Sequence, residues 1–101
     1  MVEIILSPRK SGKTAKLIEQ CAEKGGYIVC FDHDEAYRIA QRAREMGLFI
    51  PFPLTSVEFF ERSYFGRNIK QFYIDNADII LQGLTSVPIA TITLTDKRPQ
   101  V

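Results

Sequence analysis

The sequence has a single histidine, His33, and two cysteines, Cys21 and Cys30. One imidazole builds neither a histidine metal centre nor a catalytic triad. The cysteines lack the spacing of zinc ligands, and no secretory leader is evident, so both are expected to be reduced, buried thiols of a cytoplasmic protein. No apolar run approaches the roughly 20 residues that span a bilayer, and no membrane contact is expected. Charge of neither sign dominates: 13 Lys and Arg stand against 12 Asp and Glu, for a net +1. That balance gives no global field toward nucleic acid or membrane. There is no repeat and no linker-like stretch. With 101 residues, 46% hydrophobic and 25% charged, the chain is expected to fold as one domain, 1–101, around one modest core.

What is present is concentrated near the start. Residues 2–6, Val-Glu-Ile-Ile-Leu, read as a buried strand. Residues 15–24 read as a helix with Ala15, Leu17, Ile18, Cys21 and Ala22 on one broad face. Between them stand Ser7, Pro8, Arg9, Lys10, Ser11, Gly12, Lys13 and Thr14. A strand, a loop ending in Gly-Lys-Thr and a helix make the phosphate-binding arrangement G-x-x-x-x-G-K-[ST], with Ser7 where the pattern has glycine. Backbone N–H groups of such a loop and of the helix start form a concave anion site. Gly12 tolerates a positive φ, Lys13 reaches β- and γ-phosphates as a compact charge, and the Thr14 hydroxyl suits Mg2+. An ordinary solvated loop capping a helix is the plainer account of Ser-Gly-Lys-Thr. The flanking strand and helix favour phosphate.

Further along, Gly25 and Gly26 end the first helix, and residues 27–31 are almost continuously apolar, as in a parallel strand covered on both faces. Asp32 or Asp34 caps the next helix, whose inner stripe is Ala36, Ile39 or Ala40, Ala43 and Met46, and which Gly47 closes. His33 could cap it too, or touch a ligand beyond the strand end. Arg38 and Arg42 read as a solvated face with local ion pairs to Glu35 and Glu45. Pro51 and Pro53 limit residues 49–54 to an edge strand or a packed loop. Thr55 and Glu58 form a capping box, with Leu54 and Phe59 at the staple positions, for a helix that continues through Phe60 to about Tyr64 and that Gly66 stops. Residues 62–70 mix basic and aromatic side chains. That mixture serves single-stranded nucleic acid in some proteins, and more often is a surface turn whose aromatics reach back to the core.

Residues 71–75, Gln-Phe-Tyr-Ile-Asp, run into Asp75 at the end of a predicted strand. An aspartate so placed after a phosphate-binding loop helps hold Mg2+. The alternative is that Asp75, or Asn76, caps a short helix predicted over 77–81, which Gly83 breaks. Residues 87–94 read as the last strand, with Thr93 or Thr95 near its ligand-side end. Arg98, in a polar tail, could reach a phosphate or stay on the surface.

With these motifs placed, the chain resembles a P-loop nucleoside triphosphatase. The likeness is to the ATPase branch that adds a strand between the P-loop strand and the Walker B strand, as in helicases, RecA-like proteins and phage terminase motors. Residues 87–94 would be that added strand. In detail the chain is similar to small bacteriophage and prophage P-loop proteins with P-R-x-S-G-K-T, G-R-N-I-K and I-D-x-A-D motifs, matched here at 8–14, 66–70 and 74–78. The likeness spans nearly the whole chain. It implies a minimal, truncated three-layer α/β domain with a mostly parallel sheet of four to five strands. It implies ATP phosphates at the loop, above all on Gly12 and Lys13, with Lys13 as the catalytic charge. Mg2+ is implied on Thr14 directly and on Asp75 through water, and a role in phage DNA metabolism follows from the same likeness.

Two departures bear on activity. The branch places a catalytic glutamate directly after the Walker B aspartate; here Asn76 stands there and cannot accept a proton. Glu58, Asp78 and Asp32 are the remaining candidates. The chain is also expected to lack the further strands, arm or lid of a motor or kinase. Residues 95–98 have the wrong order for a guanine-reading motif, so a GTPase is not expected. Two functions are therefore expected as alternatives. One is an ATP-binding protein with slow hydrolysis. The other is a degenerate P-loop fold that binds nucleic acid or a phage or host protein without nucleotide. Self-association is compatible with either.

Overall fold

The computed structural model describes residues 2–6 and 12–95. Helix α1 (Lys13–Lys24) buries Ile18 and Cys21 and stops at Gly25, whose amide donates to the Cys21 carbonyl at 2.8 Å. Gly25 and Gly26 have φ of 80° and 105°, values that glycine adopts without a Cβ penalty. The reversal leads directly into strand β1 (Tyr27–Cys30). Helix α2 (His33–Glu45) follows, capped by Asp32, whose Oδ1 accepts from the Glu35 amide at 2.9 Å. Ala36, Ile39 and Ala43 are its buried stripe, and Gly47 at φ 72° turns the chain after it. Arg38 pairs with Glu35 at 2.7 Å, the local ion pair expected of a solvated face.

Strand β2 (Leu54–Thr55) is only two residues long. Pro51 and Pro53 precede it, and a residue without an N–H cannot donate to a ladder. Thr55 then caps helix α3 (Ser56–Phe60) in a complete capping box: Glu58 donates its amide to Thr55 Oγ1, and Glu58 Oε1 accepts from the Thr55 amide. Such a cap is worth about 1 kcal/mol, a large share of what holds a five-residue helix. The helix ends at Phe60, short of the expected Tyr64, because Arg62 at φ 60° leaves the helical region, and a run of tight turns leads to strand β3 (Phe72–Ile74) and helix α4 (Ala77–Gln82).

The sheet is parallel throughout, in the order β2-β1-β3. Strand β1 is central, and its alternation divides the core. Ile28 and Cys30 face α1 and α2, packing on Ile18, Cys21, Ala36, Ile39 and Ala43. Val29 faces the other way, onto Leu54, Ile80 and the rings of Phe59 and Phe72. Helices thus cover both faces, which explains why β1 is apolar without alternation. Both cysteines are buried and free, as expected.

The expected sheet of four to five strands is corrected to three among the described residues. Residues 2–6 and 87–94 are not paired in a ladder. Val2 and Leu6 are 78% and 83% exposed, and Val87 and Leu94 also face solvent. An apolar run has the composition of a strand, but only a neighbouring backbone makes it one, and among the described residues none pairs with β3 on its far side. The loop residues Ser7 to Ser11 and the tail that contains Arg98 lie outside the described residues.

Gly26 provides a test of the packing. A Cβ there would lie 2.5 Å from the Gln71 carbonyl oxygen, on a backbone that already has φ 105°. Gly26→Ala should cost about 1–2 kcal/mol from the left-handed backbone alone, and more from the overlap. A lower denaturant midpoint with an unchanged m-value would show it. An unchanged midpoint would mean that α1 and β3 do not approach as described.

Candidate functional site

Because the three strands are parallel, their carboxyl ends share one edge, and α2, α3 and α4 all start there. Helix α1 starts there too, because it is fastened to β3 at both ends. The Tyr73 hydroxyl donates to the Gly25 carbonyl at 2.9 Å at one end. At the other, the Thr14 hydroxyl donates to Asp75 Oδ2 at 3.2 Å and to Oδ1 at 3.4 Å. Four helix N-termini, with their positive dipole ends, therefore gather at this edge, those of α2 and α3 capped by Asp32 and Thr55.

Gly12, Lys13 and Thr14 are the described part of the predicted loop. Gly12 takes φ 86°, ψ 11° just before α1. A Cβ there would meet nothing within 4 Å, so conformation, not space, accounts for glycine. Lys13 opens the helix. Thr14 lies within its first turn and meets Asp75 across 61 positions of sequence.

Asp75 is held from two sides. Its amide donates to the Val29 carbonyl at 2.9 Å, extending the ladder beyond β3, while its carboxylate accepts from Thr14. The residue is only 3% exposed. Burial pushes its pKa above the ordinary carboxylate value; the Thr14 hydrogen bond opposes this, the charge of Glu35 adds to it, and Lys13 opposes it slightly. The Thr14 bonds are long for O–H···O, where about 2.7–2.8 Å is usual, so compensation is weak. Asp75 does not cap α4. The cap position is Asn76, which forms no side-chain cap bond and sits at φ 53°. That left-handed conformation suits Asn and would burden Glu. The residue that stands in place of the expected glutamate thus has a backbone reason.

A cavity of about 400 Å³ opens at this edge, lined in part by Asp32, Glu35, Arg38, Asp75 and Asn76. The Cys30 thiol at its floor is pushed up to about 12, first by burial and then by Glu35, Asp75, Asp32 and Glu58. Among the lining residues the carboxylates Asp32, Glu35 and Asp75 outnumber the one cation, Arg38, a balance that favours a cation. Among the described residues no three His, Cys, Asp or Glu side chains come close enough to hold a metal alone. Mg2+ does not need such a cage: it commonly uses one or two protein ligands plus phosphate and water. A hydroxyl, a poorly compensated carboxylate and a helix N-terminus fit that mode.

Of the three candidate bases, Glu58 is committed to the capping box, Asp32 caps α2, and Asp78 is exposed in the first turn of α4. None of the three faces Asp75 freely. Asp32 lines the same cavity as Asp75 but is engaged as the cap; the further carboxylate there is Glu35, which residue type places only as an ion-pair partner of Arg38. Its signal was its position three residues after the cap at the end of β1, in a helix turn that opens on the same edge. Thr93 and Thr95 are exposed and do not line the cavity, and His33 is exposed at the start of α2.

Searches of protein-family models, curated proteins and solved structures returned no match to this chain.

The raised pKa of Asp75 has a sign that can be tested. Between its unfolded value, about 3.9, and its folded value, the folded state binds more protons. Stability from this group is present at low pH and lost as pH rises through the folded value. Asp75→Asn, which keeps an acceptor for Thr14, should melt a few degrees above the wild type at pH 7, with the difference shrinking toward pH 4. A variant that melts below the wild type at pH 7 would contradict this account.

Proposed function

We propose that the protein binds ATP with Mg2+ in the manner of a P-loop nucleoside triphosphatase. The observation that carries this reading is the Thr14–Asp75 contact beside a left-handed Gly12 at the start of α1. Helix N–H groups and the Lys13 ammonium would take the β- and γ-phosphates. Thr14 and Asp75 would hold the cation, which neutralises phosphate charge when bound. The cavity carboxylates Asp32, Glu35 and Asp75 oppose bare phosphate, so the cation and the nucleotide are expected to bind together. The nucleotide would lie at the carboxyl edge of the strands, where helix N-termini gather.

Turnover is expected to be slow. The Asn76 carboxamide has no basic atom, and its left-handed backbone disfavours a longer carboxylate there. The resemblance of the sequence motifs to those of small bacteriophage P-loop proteins would, if it reflects kinship, place this activity in phage DNA metabolism. A second reading, an interaction module that has dispensed with nucleotide, is favoured by Asn76 and by the three-stranded sheet.

One titration separates the two. Binding of a fluorescent ATP analogue with Mg2+ should weaken about 10- to 100-fold in Lys13→Ala, the loss of a hydrogen bond to a charged group. Mg·ATP at 100 times its Kd should stabilise the wild type by about 2.7 kcal/mol. Equal affinity in the variant, or no thermal shift at millimolar Mg·ATP, would overturn nucleotide binding in favour of the module.

A further inference from the structure

The turn between α3 and β3 is ordered by its own backbone. Successive amides donate back along it: Ser63 to the Glu58 carbonyl at 2.9 Å, Phe65 to Arg62 at 2.9 Å and Arg67 to Tyr64 at 3.0 Å. Arg62 at φ 60° and Gly66 at φ 93° make its reversals. Its aromatics divide into two sets. Tyr64 points inward, with its ring centroid 4.9 Å from Phe72 and 6.1 Å from Phe59, and closes the core cluster beneath α3. Phe60 and Phe65 point outward and are 71% and 87% exposed.

Core packing accounts for Tyr64 and leaves Phe60 and Phe65 without a role. The segment that carries Phe65 and follows Phe60 is cationic in sequence. Residues 61–70 contain Arg62, Arg67 and Lys70 against Glu61 alone, a net +2, in a chain whose whole net charge is +1. All three cations are exposed, and the one ion pair among the described residues, Arg38 with Glu35, is elsewhere. Arg67 is held in place by Tyr27, its guanidinium 5.7 Å from the ring centroid.

We propose that this turn binds single-stranded nucleic acid, with Phe60 and Phe65 stacking on bases and Arg62, Arg67 and Lys70 contacting phosphates. Exposed rings suit the faces of unpaired bases, which a duplex conceals, and cations at their flanks suit the backbone. The ordered turn presents these groups with little left to organise on binding. Tyr27 and Phe72 begin their strands, so this surface lies at the amino end of the sheet, opposite the Asp75 cavity. The inference does not rest on nucleotide binding, because it uses no residue of that site.

The test is fluorescence anisotropy of a labelled 12-mer oligothymidylate, alone and annealed to oligoadenylate, across a salt series. The single strand should bind at least tenfold tighter than the duplex. Phe60→Ala/Phe65→Ala should weaken it at least tenfold, with an unchanged melting temperature because both rings lie outside the core. The slope of log K against log salt should fall in magnitude by about 0.7 for each of Arg62→Gln and Lys70→Gln. Absence of binding at low salt, equal binding of the duplex, or an unaffected double variant would overturn the proposal. So would a dimer in sedimentation velocity that the double phenylalanine variant dissolves while the oligonucleotide stays free, which would assign the face to self-association.

Discussion

Removing a carboxylate from water is costly unless hydrogen bonds or opposite charge replace the water, and this domain does so to Asp75 with little replacement. Much of the architecture bears on that residue. The ladder from β1 continues one residue past β3 to fix its backbone, and Tyr73 and Thr14 fasten α1 across it. Three further helices open on the same edge. A weakly compensated carboxylate at the meeting point of several elements is the kind of group that functional sites hold, and in our proposal a cation arriving with phosphates would offset its cost.

The same parallel sheet gives the molecule two chemically distinct ends. At the carboxyl end, strands stop at buried or capping polar groups: Asp32, Thr55 and Asp75. At the amino end, β1 and β3 begin at Tyr27 and Phe72, and the chain entering β3 is cationic and aromatic. Helix dipoles add to this division, because N-termini gather only at the first end. In our reading one end receives a small charged ligand and the other a polymer, joined by strands of three and four residues.

Features with local causes were legible in the sequence. The glycine pair after α1, the Asp32 cap, the Thr55–Glu58 box and the doubly covered β1 each depend on a few neighbouring residues, and each stands where residue type placed it. Strand pairing was not legible in the same way. Residues 2–6 and 87–94 have strand composition but no ladder, because pairing depends on a second backbone that a single segment does not encode. In the candidate site, Thr14 and Asp75 were read from separate motifs, and the structure brings them together. The left-handed Asn76 escaped notice because Asn serves caps, turns and left-handed positions alike, and residue type alone does not choose. Glu35 escaped because its pairing with Arg38 already accounted for it.

The protonation of Asp75 itself reports on all of this. A pH titration of its side-chain carboxyl carbon by NMR, without and with Mg·ATP, follows the group directly. Our account predicts a midpoint above that of an ordinary aspartate in the free protein, and a marked fall when Mg2+ and nucleotide are both present. An ordinary midpoint that the nucleotide and metal leave unmoved would contradict it.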